Sequence, residues 1–439
     1  MKRLITGIAP ITFSAAGRAA LLTSVLGAGF LAATAGANAQ SIRVWSGYPE
    51  LAPFYEHVAE GMKAEFPDIE VTVEAIALRE HERRVALGIT SGESAEVLEL
   101  ATSIAARYLE NDLLATPPEN VASFVADPAN FDTFFVDSAS YGGAVFGVPL
   151  FRGQSALYYN TAMLEAAGLD GPPTTMEEYD TYAEALTQRD GSGNPTVSGW
   201  SLRLSGGGAG ITEKFWINMF QHGGQVLVPA GEGLWKADLA SDAGVAALSQ
   251  YLDNLHTAKT VTVEMPADAE AFEREQTAMF IRESWVIGDI ASKAPDLTYA
   301  STTLPRGSIV NPVQLYVAGE GEQAEAAWAF AMETQKPENL LWLLDNVGWL
   351  PNRAGLDYSE ILASTPALEA FVSYPDSYEF FSIPAIGPID EIMTRTAAGL
   401  QAAFGNAALA GDEAAIRSYL EGLDSEINAL LSREGLLGE

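Results

Sequence analysis

Residues 147–186, GVPLFRGQSALYYNTAMLEAAGLDGPPTTMEEYDTYAEAL, decide how the rest of this 439-residue chain is read. Over 147–160 the pattern is extended, with large apolar and aromatic residues around one lone charge, Arg152. The spacing then predicts a short helix over 161–167 that stops at Gly168. The Pro172-Pro173 pair forbids continuation, and Thr174-Thr175-Met176-Glu177 supplies a capping box for the next helix. A stiff, half-buried strand leaving one globular unit and entering another has this pattern.

Upstream, residues 42–45 read as a strand, and Leu51, Phe54, Tyr55, Val58 and Met62 repeat at helical spacing up to Phe66-Pro67. Ile69, Val71 and Val73 alternate as a second strand, which makes a right-handed βαβ unit and a parallel start to the sheet. A helix near 78–90, a strand at 97–100 and a helix ending near Asn111 follow. Ligands of open α/β sheets sit beyond the carboxyl ends of strands, so 46–48 and 101–103 are expected to face one crevice. That makes Tyr48, Thr102 and Ser103 candidate contacts.

Downstream, helices are expected over 212–222 and 241–256, and extended runs over 297–304 and 312–317. Helices over 387–404 and 412–432 close the chain, with no strand expected after about residue 320. No repeat, low-complexity tract or long linker interrupts the pattern, which suits two units tied by short hinges.

The first acid is Glu50. Lys2, Arg3 and Arg18 precede an apolar run over 19–33, and Ala37-Asn38-Ala39 offers a cleavage pattern before Gln40. Residues 1–39 therefore read as a secretory signal peptide, too diluted by Ala and Gly for a membrane anchor. No cysteine follows the cut for lipidation, and the expected location is the periplasm. The chain has no cysteine at all, which excludes disulfides and thiolate chemistry. After residue 39 it carries 21 Lys+Arg against 58 Asp+Glu, a net −37. Such a surface repels phosphate backbones and anionic lipid, which argues against nucleic-acid and membrane-surface roles.

Catalytic signatures are lacking: there is no G-x-S-x-G, S-x-x-K, Walker A loop or H-E-x-x-H. His57, His81, His222 and His256 are scattered, and neither a metal nor another cofactor is expected. Asp190-Gly191-Ser192-Gly193-Asn194 imitates the start of a calcium loop but reads as a turn, because Pro195 and Ser201 stand at its sixth and twelfth positions.

Binding chemistry is better represented. Trp285 follows a strand-like run among small and polar residues, where an indole can cover the C–H face of a sugar. From the residues alone, a core tryptophan is an equal reading. Tyr48 and Trp349 are weaker candidates of the same kind, while Trp45 and Trp216 suit core packing better. Ser205-Gly206-Gly207-Gly208-Ala209-Gly210 precedes a helix opened by Thr212. Its N–H groups could hold an anion or hydroxyls, although a surface loop is an equal reading.

The ordered pattern G-V-P, L-Y-Y-N, then G-L-D-G-P-P-T-T over 147–175 resembles the interlobe crossover of bacterial extracellular solute-binding proteins, the maltose-binding-protein family. Ala278-Met279-Phe280-Ile281 followed by Glu283-Ser284-Trp285 resembles that family's strand and ligand-facing tryptophan. Leu297-Thr298-Tyr299 to Leu304-Pro305 resembles the crossing back, and Gly348-Trp349-Leu350-Pro351 a late loop of carbohydrate-type members. Ala95-Glu96-Val97 departs from the Pro-Asp of many members.

The resemblance implies an α/β fold of the type II periplasmic binding protein kind, two lobes joined by hinge strands around a cleft. Lobe I would hold 40–150 and about 300–355, and lobe II 151–299 and about 356–439. It implies a monomeric, non-enzymatic carbohydrate-binding subunit of an ABC importer, whose permease reads the closed shape. First-lobe contacts would come from Tyr48, Thr102, Ser103 and Arg353. Second-lobe contacts would come from Arg152, Gln154, Ser205, Gly206, Gly207, Gly208 and Trp285. Arg152 and Arg353 at the cleft hint at a carboxylate, sulfonate or phosphate on the sugar, although an interlobe salt bridge suits them equally. A secreted polysaccharide-active enzyme and a periplasmic sensor subunit are the alternatives.

Overall fold

Alternating burial shapes the first strand. Gln40–Ser46 hides Ile42 and Val44 and pairs in parallel with Ile69–Ala75, from Gln40 opposite Ile69 to Ser46 opposite Ala75. The helix between them, Ala52–Met62, buries Phe54, Tyr55, Val58 and Met62 on one stripe. Val97–Ala101 adds a third parallel strand. A computed structural model describes residues 40–205, 208–267 and 269–439. The expected signal peptide, Gly206 and Gly207 lie outside them.

The decisive stretch forms one long strand, Val148–Asn160, with every residue buried except half-buried Tyr159. One edge pairs antiparallel with Gly307–Val317 and Tyr299–Thr302, and the other with Leu350–Pro351 and Thr277–Glu283. Gly307–Val317 also pairs antiparallel with Val97–Ala101. Thr277–Glu283 continues to Pro195–Trp200 in parallel. Two long antiparallel strands therefore run through both halves of one curled, mixed sheet. This is an α/β fold of the periplasmic-binding-protein kind.

Separate cores form in each half. Phe54, Phe131, Phe151, Phe330 and Leu340 belong to one core around the first strands. Phe215, Trp216, Trp200, Tyr251 and Leu420 belong to another, around the helices Ala209–Gln221, Asp242–Leu252 and Glu413–Arg433. Trp45 and Trp216 are buried, as their core reading expects.

Local details differ from the sequence reading in three places. The helix after the proline pair starts one residue later: Thr175 caps Met176–Leu186, and Glu178, not Glu177, reaches back to Thr174 N at 2.6 Å. The helix expected to open at Thr212 begins at Ala209, with Gly208 as its cap. Thr212 is buried and donates to the Met393 carbonyl at 2.7 Å, so its hydroxyl ties two helices together. Strands also occur beyond residue 320: Leu350–Pro351 and Glu379–Phe381 are too short for alternation to show, and exist because a longer strand pairs with them. The 190–194 segment is a turn, with Asp190 Oδ1 accepting from Ser192 N and Asn194 N at 2.8 and 2.9 Å. Among the described residues, no helix is long and apolar enough to cross a membrane.

Candidate functional site

The site is built where the two cores meet across the crossover strand. Phe151 and Gly153 point to one side of it. Phe151 packs with Tyr48 at 5.4 Å and Trp349 at 5.0 Å, and Tyr48 meets Trp349 edge-on at 5.3 Å. Beyond them Gly153, buried and without a side chain, exposes only backbone to its neighbours: a Cβ there would lie 3.6 Å from Trp349 and 3.9 Å from both Asn311 and Glu283. A strip of backbone thus separates an aromatic wall from a charged one.

The charged wall ends the strand Thr277–Glu283. Glu283 Oε1 accepts from Lys214 Nζ at 3.1 Å, and its Oε2 from Trp285 Nε1 at 3.2 Å. Arg282 Nη1 lies 3.3 Å from the same Oε2, and its guanidinium sits 5.2 Å from the Trp285 ring centroid. Burial alone would raise the Glu283 carboxyl, but Lys214 and Arg282 outweigh it and hold the group well below the usual carboxylate range. Half-buried Trp285 packs against the first core and against a third cluster that includes Tyr158, Phe280 and Phe371. Ser284 Oγ donates to the Gly348 carbonyl at 2.7 Å, which pins the turn beneath Trp285 to the loop carrying Trp349.

A second buried acid sits under the Tyr48 loop. Glu99 accepts from Ser46 Oγ at 2.9 Å, Gly47 N at 3.0 Å and the Tyr55 hydroxyl. Burial pushes its carboxyl up to about 7, against the pull of those donors. His81, also buried, uses Nε2 on the Glu99 carbonyl at 2.8 Å, and burial lowers its pKa. Gly47 is wedged in place: a Cβ would come 2.8 Å from Leu78 and 3.1 Å from His81.

The structure brings Tyr48, Trp285 and Trp349 to this junction. Thr102, half-buried, donates to the Ser138 carbonyl at 2.9 Å with Gln314 Oε1 also 3.3 Å from its hydroxyl, while Ser103 is exposed beside it. Ser205 and Gly208 are exposed ahead of Ala209–Gln221, whose cap makes no side-chain hydrogen bond. Lys214 lies on that same helix.

Arg152 and Gln154 turn to the opposite side from Gly153. The Arg152 guanidinium donates to Gln154 Oε1 at 2.9 Å, to the Pro351 carbonyl and to the Phe371 carbonyl at 3.3 Å, and lies over Phe135. Arg353 does not join the group: it donates to the Gln335 carbonyl and covers Phe124 at 5.4 Å. Pro351, two residues earlier, still pairs with Phe151 of the crossover strand, but by Arg353 the chain has left that pairing.

Sequence reasoning missed Glu283, Lys214, Arg282 and Glu99. A lone acid inside the apolar run Val97–Ala101, and another between a buried strand and a tryptophan, were the available signals, because such acids need partners. Among the described residues no group of three or more His, Asp or Glu side chains gathers in a way that could hold a metal ion.

Solved structures share this architecture. The chain is similar to the sugar-binding protein MalE of Xanthomonas citri, with TM-score 0.73, 16% identity, and 90% of this chain and 98% of that one covered. It is similar to the cyclic α-maltosyl-1,6-maltose binding protein of Arthrobacter globiformis, with TM-score 0.72, 19% identity and coverage of 90% and 99%. It is also similar to UgpB of Mycobacterium tuberculosis, solved with glycerophosphocholine, with TM-score 0.72, 18% identity and coverage of 90% and 99%. A binding protein of Brucella abortus (strain 2308) is 22% identical over 386 residues, 85% of this chain and 90% of its own length. Residues 58–370 match the family model of bacterial extracellular solute-binding proteins, and the chain belongs to that family.

Proposed function

We propose that this protein is the periplasmic substrate-binding subunit of an ABC importer and captures a carbohydrate at the Tyr48–Trp349–Trp285 junction. The observation that carries the reading is one aromatic wall beside one charged wall, divided by the bare backbone at Gly153. A pyranose needs both: an indole for its C–H face, and fixed donors and acceptors for its hydroxyls.

In this reading lobe I holds 40–150 and about 300–355, and lobe II holds 151–299 and about 356–439. The lobes close on the sugar about the crossover strands, and the permease recognises the closed form. The protein acts as a monomer and returns the sugar chemically unchanged. The removal of a signal peptide at 1–39 belongs to the same proposal.

A neutral sugar is favoured over an anionic one. Lys214 and Arg282 are matched by Glu283 and by Glu213, which lies 3.4 Å from Lys214. The arginines that suggested an acidic ligand are engaged by carbonyls. The Arthrobacter neighbour, a binding protein for a cyclic maltose derivative, supports a saccharide, while UgpB with glycerophosphocholine keeps a phosphodiester in the test.

Native mass spectrometry of protein from its own host, with calorimetry against neutral sugars, uronates and sugar phosphates, tests the proposal. Saturable binding of a neutral sugar recovered intact supports it. Tightest binding of a phosphate ester would replace the ligand class, and turnover of the sugar would make the protein an enzyme.

A further inference from the structure

We infer that Glu283 is a positioning and specificity-determining residue for the tryptophan wall, fixing the plane of Trp285 through its indole N–H while Lys214 fixes Glu283. This rests on the carbohydrate reading for its consequence, but its geometry stands apart from any ligand. Two donors and one further cation converge on one carboxylate: Lys214 Nζ donates at 3.1 Å, Trp285 Nε1 donates at 3.2 Å, and Arg282 Nη1 forms an ion pair at 3.3 Å.

Each of the three does a different thing. Trp285 sits on the turn after the strand, and a half-buried indole there could rotate about its side-chain torsions. The hydrogen bond from its only polar atom removes that freedom. Arg282 lies over the ring at 5.2 Å and holds it from that side. Lys214 comes from a different element, the helix Ala209–Gln221 that follows the glycine-rich loop. Its ammonium therefore couples the placement of that helix to the pose of Trp285.

The same carboxylate cancels charge. With Glu283 ionised and Glu213 3.4 Å from Lys214, two carboxylates face the two cations and no excess cation is presented to the junction. Removing the negative charge while keeping the shape leaves Arg282 uncovered beside the ring, with Lys214 held by Glu213 alone. The wall would then favour an acidic ligand over a neutral one.

Fluorine NMR of the mature protein labelled with 5-fluorotryptophan tests this without a ligand. The chain has eight tryptophans, and the Trp285 resonance is identified by its loss in Trp285→Phe. Glu283→Gln and Lys214→Met are expected to shift or broaden that resonance and leave those of buried Trp200 and Trp216 in place, with Lys214→Arg restoring it. An unmoved Trp285 resonance in Glu283→Gln overturns the inference, whatever the protein binds.

The consequence is read with maltose, glucose and glucuronate as probes. Glu283→Gln is expected to weaken a neutral sugar on the order of 10- to 100-fold, the usual effect of losing a charge-assisted hydrogen bond, and to weaken glucuronate less. Equal affinities in wild type and Glu283→Gln overturn the specificity role. If the resonance moves but wild type binds none of the three, the positioning role stands and the carbohydrate reading is what fails.

Discussion

The guanidinium of Arg152 reaches the Phe371 carbonyl at 3.3 Å, and no carboxylate among the described residues forms an ion pair with it. In a chain with 58 acids that is a choice of partner, not a shortage. Its donors also take Gln154 Oε1 and the Pro351 carbonyl, so one side chain ties the crossover strand to the Leu350–Pro351 strand and to the Glu369–Val372 helix. Burial lowers its pKa without displacing the charge. With each of its three nitrogens already donating to a carbonyl oxygen, the fork has little left to offer a ligand.

Arg152→Met is therefore expected to cost stability, not selectivity. Two buried carbonyls lose their donor, and loss of the desolvated charge offsets part of that, leaving a net cost of about 1–3 kcal/mol in urea unfolding. Arg152→Lys should do no better, since a compact ammonium cannot span the same acceptors. Calorimetry should find neutral and acidic sugars weakened alike. A loss confined to the acidic sugar would return Arg152 to the ligand site.

Glu99 gives the protein a pH-dependent stability with a definite sign. Its carboxyl titrates near 7 in the folded chain, against an ordinary 4.5. Between those values the native state holds a proton that the unfolded chain has released, so stability falls as pH rises. The contribution is complete below about pH 4.5, and raising the pH through about 7 removes about 3 kcal/mol. Urea unfolding of wild type and Glu99→Gln at pH 5 and pH 8 isolates it. Wild type should gain on the variant at pH 5, and parallel pH dependences would refute the assignment.

Gly153 offers a way to fill the junction without disturbing the fold. A Cβ there meets only ordinary contacts, the nearest being Trp349 at 3.6 Å. Gly153→Ala is expected to be stable, gaining up to about 1 kcal/mol from reduced backbone entropy in the strand. Gly153→Trp should keep a folded circular dichroism spectrum and lose sugar binding. Retained binding in the tryptophan variant would move the ligand site elsewhere.

How much of this was legible depends on whether a feature is local. The crossover strand, the parallel start and most helices follow from periodicity and from breakers such as Gly168, whose positive φ of 73° ends its helix. Leu350–Pro351 and Glu379–Phe381 have no period of their own and could not be read before their partners were placed. The site shows the same division. Trp285 stands out by chemistry and context, whereas Lys214 meets Glu283 only because two distant elements pack together, 69 residues apart in sequence. Arg152 and Arg353 both fall where the resemblance would put the cleft, and only strand parity and a turn of chain separate their surroundings.

Tryptophan replacement distinguishes a wall from a core within one protein. Trp216 is buried, donates its indole N–H to Gln225 and stacks with Phe381 at 6.3 Å. Trp216→Ala should cost about 3–5 kcal/mol, as a large cavity does. Trp285 is half-buried, so Trp285→Ala should cost clearly less in urea unfolding than Trp216→Ala. Its sugar affinity should nevertheless fall by roughly 10- to 100-fold, because a stacking face carries a large share of binding in such sites. Trp349 stands between the two: buried, yet touching Tyr48 and Phe151 and facing Gly153, so Trp349→Ala should lose both stability and affinity. If Trp285→Ala binds sugar as wild type does, the aromatic wall is core and the proposed site falls with it.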